Sequence, residues 1–263
     1  MNIVVCVKPA PDPKHWDSIQ LDPVTKALRR EGIPSVLGPL DKRALEEGLR
    51  IKETYAGKVV AMAMAPPAAR ANLVEALAMG ADEAYLLSDR AFAGSDTWAT
   101  SLVLSRGIQK LGEFDLVICG EWSLDGSTGQ VGAQLAEFLG IPNVGRVVAV
   151  ERMEGGSLRT QSMVELGTRT LETSLPALIT VTREINTPRF TSLLGVIEAE
   201  SKPCVSWSAM DLGIAPEEVG FRGSPTQTGE VFMPEMKRKA EMLRGEPEGM
   251  VIEILHKIRQ AIG

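Results

Sequence analysis

The stretch GEWSLDGSTGQVGAQLAEFLGIP, Gly120 to Pro142, passes from a polar, glycine-containing loop into a periodic apolar run. Val131, Leu135, Phe138 and Leu139 recur at i, i+4, i+7 and i+8, which predicts a core-facing helix ending at Gly140 and Pro142. Its first turn falls among Ser127, Thr128, Gly129 and Gln130. Unpaired N–H groups there and the positive end of the helix dipole favour an anion, the dipole alone by roughly 0.3–1 kcal/mol. Gly126, Gly129 and Gly132 form G-x-x-G-x-x-G rather than G-x-G-x-x-G, and no Gly-Lys-Ser/Thr follows Gly120. Spacing alone therefore leaves two readings open, a phosphate site or an ordinary capped loop. Asp125 would cap the helix or hold a ribose hydroxyl, because set against a phosphate it would repel. The loop itself has no lysine, histidine or cysteine, so it reads as a place for binding rather than reaction.

Other reactive chemistry is thinly supplied, and no catalytic residue is expected. His15 and His256 lie far apart in the chain, without the partners that a triad or a zinc centre needs. There is no Gly-x-Ser-x-Gly elbow and no Cys-x-x-Cys pair. The acidic pairs Glu46–Glu47 and Glu217–Glu218 read as solvated faces.

The elements that must position this loop follow a simple alternation. Residues 2–7, 58–65, 83–87, 115–120 and 176–182 are short β-branched or apolar runs that read as buried parallel strands. Residues 41–53, 68–80 and 95–112 carry helical spacing, with Ser95 or Asp96 as a start signal and Gly80 and Gly112 as stops. The expected fold is α/β, a Rossmann-like, doubly wound, mostly parallel sheet. Ligands of such sheets sit at the carboxyl ends of the strands, which places CVKPAPDP and GEWSLDGSTG on one shared cleft. From about residue 146 a hairpin turning at Gly155 and Gly156 is expected. Residues 201–249 show little periodicity and read as an extended arm. The arm ends in an amphipathic helix with Val251, Ile254, Leu255, Ile258 and Ile262 on one stripe, which must pack on its own domain or on a partner.

The 263 residues are 44% hydrophobic and 24% charged, with a formal charge of −6. That balance argues against nucleic acid or an anionic membrane surface as a partner. No apolar run approaches the roughly 18 residues of a membrane span. The start, MNIVVCVKPAPDP, has no basic leader, and Cys6, Cys119 and Cys204 are scattered, so a cytoplasmic setting is the expectation.

At this point the ordered motifs resemble a known family, the β subunit of electron transfer flavoprotein. VVCVKPAPD, ALEEGLRIKE, ALAMGADEAYLL, DGSTGQVGAQLAEFLGIP and LPALITVTREINTPRFTSLLGVIEA match in sequence order across nearly the whole chain. The resemblance implies a heterodimer in which an α subunit contributes most of the site for the electron-carrying FAD. This subunit would hold AMP, or a second FAD in members that bifurcate electrons. Carried over by position, the nucleotide pocket would use Cys6, Gly38, Pro39, Leu40, Asp41, Met64, Gly120 and Asp125 to Gly132, that is Asp125, Gly126, Ser127, Thr128, Gly129, Gln130, Val131 and Gly132. Where the family commonly reads Asn-Pro-Phe, this chain has Gly38-Pro39-Leu40 before Asp41, so an asparagine amide is lost.

Leu193, in NTPRFTSLLG, matches an apolar anchor that docks on acyl-CoA dehydrogenase-type partners; pattern alone would place it in the core. GSPT at 223–226 and FMPEMKRKAEMLRG resemble the bifurcating branch, which implies a second FAD here, NADH as donor and a low-potential acceptor. The expected organisation is a nucleotide-binding domain at 1–200 and, at 201–263, an arm and helix that pack on the α subunit. Two other classes compete. A stand-alone nucleotide sensor resembling universal stress proteins would need neither arm nor docking loop, and an adenylating enzyme would need a Ser-Gly-Gly-x-Asp-Ser loop that is missing.

Overall fold

The computed structural model describes residues 1–18, 20–21, 28–29, 32–227, 229 and 240–262. Two compact units divide the chain, Met1–Gly229 and Glu230–Gly263. The first is built on a nine-stranded sheet. Its strands are β1 (Asn2–Cys6), β2 (Lys58–Met64), β3 (Glu83–Leu87), β4 (Leu116–Gly120), β5 (Asn143–Glu154), β6 (Ser157–Val164), β7 (Gly167–Ser174), β8 (Ala177–Val181) and β9 (Cys204–Trp207). The spatial order is β7-β6-β5-β8-β4-β1-β2-β3-β9. Every pairing is parallel except β5 with β6 and β6 with β7, which extend one edge as an antiparallel meander.

Residues alternate between the two faces of each strand, so one buried strand feeds two cores. Ile3 and Val5 pack with Leu45 and Leu49 of α1 (Pro39–Tyr55) and with Leu73 and Leu77 of α2 (Arg70–Met79). Val4 and Cys6 pack on the opposite face with Val103, Leu104 and Ile108 of α3 (Thr97–Leu111) and Leu135 of α4 (Val131–Leu139). Asp96 caps α3 by accepting the Ala99 N–H at 3.0 Å, while Gly80 and Gly112 end α2 and α3 at positive φ.

The hairpin turns at Gly155 and Gly156, both at positive φ as a tight two-residue turn requires. Its continuation into β7 extends the expectation. The stretch after residue 200 differs from the extended arm read from sequence. It opens with β9, paired with β3, and then buries Ala209, Leu212, Ile214 and Val219 in the α3–α4 core. The stretch is irregular in sequence because its contacts are made residue by residue, without a periodic face.

In the second unit, α6 (Pro247–Ile262) carries Val251, Ile254, Leu255 and Ile258 exposed on one stripe. The side chain of Ile262 and residues 230–239, which include most of FMPEMKRKAEMLRG, lie outside the described set. Among the described residues no helix is long and apolar enough to cross a membrane.

α4 is drawn tightly onto the sheet at one point, since a Cβ at Gly132 would run into Thr180 Cγ2. Gly132→Ala is expected to destabilise the chain by about 1–3 kcal/mol through overpacking. Thr180→Ser removes that methyl and keeps the hydroxyl that accepts the Arg146 N–H at 3.1 Å. Denaturant unfolding should therefore show a smaller cost for Gly132→Ala in the Thr180→Ser background.

Candidate functional site at the carboxyl ends of β1 and β4

β1 and β4 lie side by side in parallel, with Cys6 opposite Cys119. After β1 the chain goes to β2 on one side, whereas β4 and its sheet neighbour β8 lie on the other. This reversal of strand order leaves a crevice at the carboxyl ends, where open α/β sheets take ligands. Two loops leave from it, one through Val7 and Lys8 and one through Glu121 to Gln130. A short ribbon, Pro9–Pro11 against Ser35–Leu37, returns the first loop to the start of α1.

α1 begins hard against the end of β4. A Cβ at Gly120 would stand 2.8 Å from Asp41 Oδ1 and 2.9 Å from Leu40 Cβ, so only glycine lets the two approach this closely. Asp41 is buried at 6% exposure, and its Oδ2 accepts the Lys8 backbone N–H at 3.0 Å. Burial pushes its pKa up to about 7, a rise that the Lys8 N–H and ammonium moderate and the Asp125 charge reinforces.

The Lys8 side chain reaches the other loop. Its Nζ lies 2.7 Å from Asp125 Oδ1, which also accepts the Gly126 N–H at 2.7 Å. Burial alone would raise Asp125, but Lys8, the Gly126 N–H and the Ser123 hydroxyl hold it down at about 2. Asp125 is thus an ion at neutral pH with its charge balanced on the spot. Beyond it the loop passes Ser127 at φ 49° and Gly129 at φ 65°. It then enters α4 at Gln130, which makes no side-chain cap; its Oε1 accepts the Thr97 hydroxyl at 2.9 Å instead. Ser127 through Gln130 are exposed. The first turn of α4 therefore offers main-chain donors to solvent or to an anion.

The remaining sequence candidates are gathered here too. Cys6, Met64 and Gly120 end β1, β2 and β4, and Gly38 to Asp41 start α1. The Cys119 thiol, hydrogen-bonded with Cys6 and buried, is pushed well above the ordinary thiol range, so the Cys119 sulfur stays protonated and unreactive. Among the described residues no group of three or more His, Cys, Asp or Glu stands ready to hold a metal. Beside the crevice lies an open groove of about 370 Å³ lined by Asp12, Lys14, Leu37, Pro39, Lys42 and Arg43 among others. These cations and Lys8 were not found by sequence reasoning, because they lie outside the glycine loop. The signal for Lys8 was its position one residue past a strand pointing at the shared cleft.

Leu193 lies on a different element, at the start of α5 (Leu193–Ala199), and is 80% exposed. The loop leading to it is held by the pair read from sequence as a solvated face. Glu46 and Glu47 are each only 6% exposed. Glu46 meets Arg189, and Glu47 accepts from Asn186 at 3.0 Å. Sequence reading failed on this pair because its partners lie far along the chain. Glu217 and Glu218 are exposed as expected.

The electron transfer flavoprotein domain model matches residues 25–212. The chain is 44% identical over 259 residues to the electron transfer flavoprotein subunit beta of Thermoanaerobacterium thermosaccharolyticum, covering 98% of both chains. It is also 44% identical over 246 residues to the caffeyl-CoA reductase-Etf complex subunit CarD of Acetobacterium woodii, covering 93% of this chain and 92% of that one. To the protein FixA of Azotobacter vinelandii it is 39% identical over 269 residues, covering 98% of this chain and 94% of the other. A crevice at the carboxyl ends of a doubly wound sheet, a domain match over most of the chain and full-length relatives at this identity lead to one conclusion: the chain belongs to the electron transfer flavoprotein family, as a beta subunit.

Proposed function

We propose that this chain pairs with an electron transfer flavoprotein α subunit, grips the adenine nucleotide half of an FAD in the β1–β4 crevice, and passes electrons to or from an acyl-CoA dehydrogenase-type partner. The observation that carries the reading is the Lys8–Asp125 pair beside the uncapped start of α4. A lone carboxylate there would repel a phosphate. With Lys8 at 2.7 Å, the Asp125 charge is balanced, so the carboxylate no longer opposes a phosphate on the neighbouring turn and stands beside the position of the ribose.

The main-chain N–H groups from Ser127 to Gly132 are then the phosphate donors, and Gly126 gives the loop its close approach. Cys6, Leu40, Met64 and the Gly38–Pro39 backbone line the adenine side, with Asp41 beneath them as a carboxyl that holds a proton up to about pH 7. Flavin supplies the redox chemistry when bound, and the protein supplies grip and orientation. FAD rather than AMP is favoured by the resemblance of GSPT at 223–226 to the bifurcating branch, and by likeness to a subunit named for a reductase–Etf complex. In that arrangement NADH is the donor, and a low-potential acceptor takes one of the two electrons. The match across nearly the whole chain disfavours a stand-alone sensor.

Co-expression with the α subunit and release of bound nucleotide should give two FAD per heterodimer. One FAD with one AMP would reduce the reading to simple carriage, and a stable, colourless lone chain would contradict it. Lys8→Met should weaken nucleotide retention by about tenfold, equivalent to about 1.4 kcal/mol, in equilibrium dialysis; unchanged retention would remove the pair from the grip.

Asp41 yields a pH prediction. Its proton is held to about pH 7 in the fold but only to an ordinary 3.8 when unfolded. The folded state binds the extra proton between these values, so stability falls as pH rises from about 4 to 7. Asp41→Asn should flatten that fall by on the order of 3 kcal/mol, as read from urea unfolding of the nucleotide-free chain at pH 5 and 8. Leu193→Ala should slow electron transfer to the dehydrogenase while flavin content stays intact, and stopped-flow reduction would show it.

A further inference from the structure

We propose that Arg189, clamped between Glu46 and Glu53 of α1, is the positioning residue of the docking loop, and that it holds Phe190 to Leu193 in the outward shape a redox partner meets. This rests on the carrier reading above. The clamp is unusually complete for a side chain next to an exposed tip. Arg189 Nε donates to Glu46 Oε2 at 2.8 Å and one terminal nitrogen donates to Glu46 Oε1 at 3.1 Å. The other terminal nitrogen lies 2.6 Å from Glu53 Oε1. The Arg189 backbone N–H also donates to Glu46 Oε2, at 3.0 Å, so side chain and main chain are fixed by the same carboxylate. Three residues earlier, Asn186 Nδ2 donates to Glu47 Oε2 and to the Arg43 carbonyl, both at 3.0 Å.

Burying two adjacent carboxylates on one helix is costly unless both are paired, and the loop supplies the partners. Truncating a forked guanidinium would leave a buried charge behind, and lysine cannot reproduce the fork. The far end of the loop is fixed separately. The Ser192 hydroxyl accepts the Gly195 N–H at 3.0 Å and so caps α5. Gly195 lies so close to α2 that a Cβ there would run into the Ala78 carbonyl oxygen. Lys202 Nζ donates to the Leu77 and Ala81 carbonyls at 3.0 and 2.9 Å.

Between these two anchorages, Phe190 is 98% exposed, Leu193 80% and Leu194 63%. Apolar tips held out on a backbone fixed at both ends lose little freedom on contact. A small, short-lived interface needs that saving, because ordering loops and side chains is a main cost of association.

The test uses the αβ complex with an acyl-CoA dehydrogenase, varying carrier concentration, and compares Arg189→Gln, Arg189→Lys and Leu193→Ala. Arg189→Gln should raise KM for the carrier about tenfold, with kcat and flavin per heterodimer unchanged and faster amide exchange confined to residues 190–197. Arg189→Lys, with charge but no fork, should fall between. A wild-type KM in Arg189→Gln overturns the proposal, as does joint loss of kcat and flavin, which would mark a merely structural bridge. If Arg189→Gln does not assemble, Arg189→Lys decides: a raised KM with full flavin supports the clamp, and a wild-type KM contradicts it. If Leu193→Ala raises KM while the Arg189 variants do not, only the clamp fails; if none of the three raises KM, the docking reading fails with it.

Discussion

β1 and β4 hydrogen-bond side by side, with Cys6 opposite Cys119, and this adjacency brings residues from three distant parts of the chain to one crevice. Lys8 follows β1, Asp125 follows β4, and Asp41 sits in the first turn of α1 above both. The three charges are interdependent. Lys8 gives its ammonium to Asp125 and its backbone N–H to Asp41, so one residue keeps one carboxylate ionised and seats the other, whose proton burial holds up to about pH 7. Without Lys8 the crevice would hold two acidic groups beside the first turn of α4 with no cation to balance them.

The same helix that closes the β1–β4 crevice also holds the loop leading to Leu193. α1 presents Asp41 at its start, Glu46 and Glu47 in its middle and Glu53 near its end. The first faces the crevice, and the others take Asn186 and Arg189. A single helix thus anchors both the crevice and the loop before α5.

Much of this architecture is legible in the sequence because the parallel strands are buried on both faces and read as unbroken apolar runs. The 83–87 run matches β3 at both ends, and the helix spacing of 41–53, 68–80 and 95–112 falls inside or around α1, α2 and α3. The glycine loop was recognisable as a helix start for the same reason. β7 was not, since it is largely exposed and carries polar residues with no buried alternation. β9 is four residues at a sheet edge, too short for any period to show. Lys8, Arg189 and the buried Glu46–Glu47 pair escape local pattern altogether. Their meaning lies in contacts between residues 33 to 143 positions apart.

The central claim is that the crevice between β1 and β4 holds an adenine nucleotide with its phosphate on the first turn of α4. A crystal structure of the αβ heterodimer with its native nucleotide tests this most directly. The account predicts phosphate oxygens within hydrogen-bonding distance of main-chain N–H groups between Ser127 and Val131, and a ribose hydroxyl on Asp125 with the Lys8 pair intact. A nucleotide seated elsewhere, with that turn facing only solvent, would contradict it.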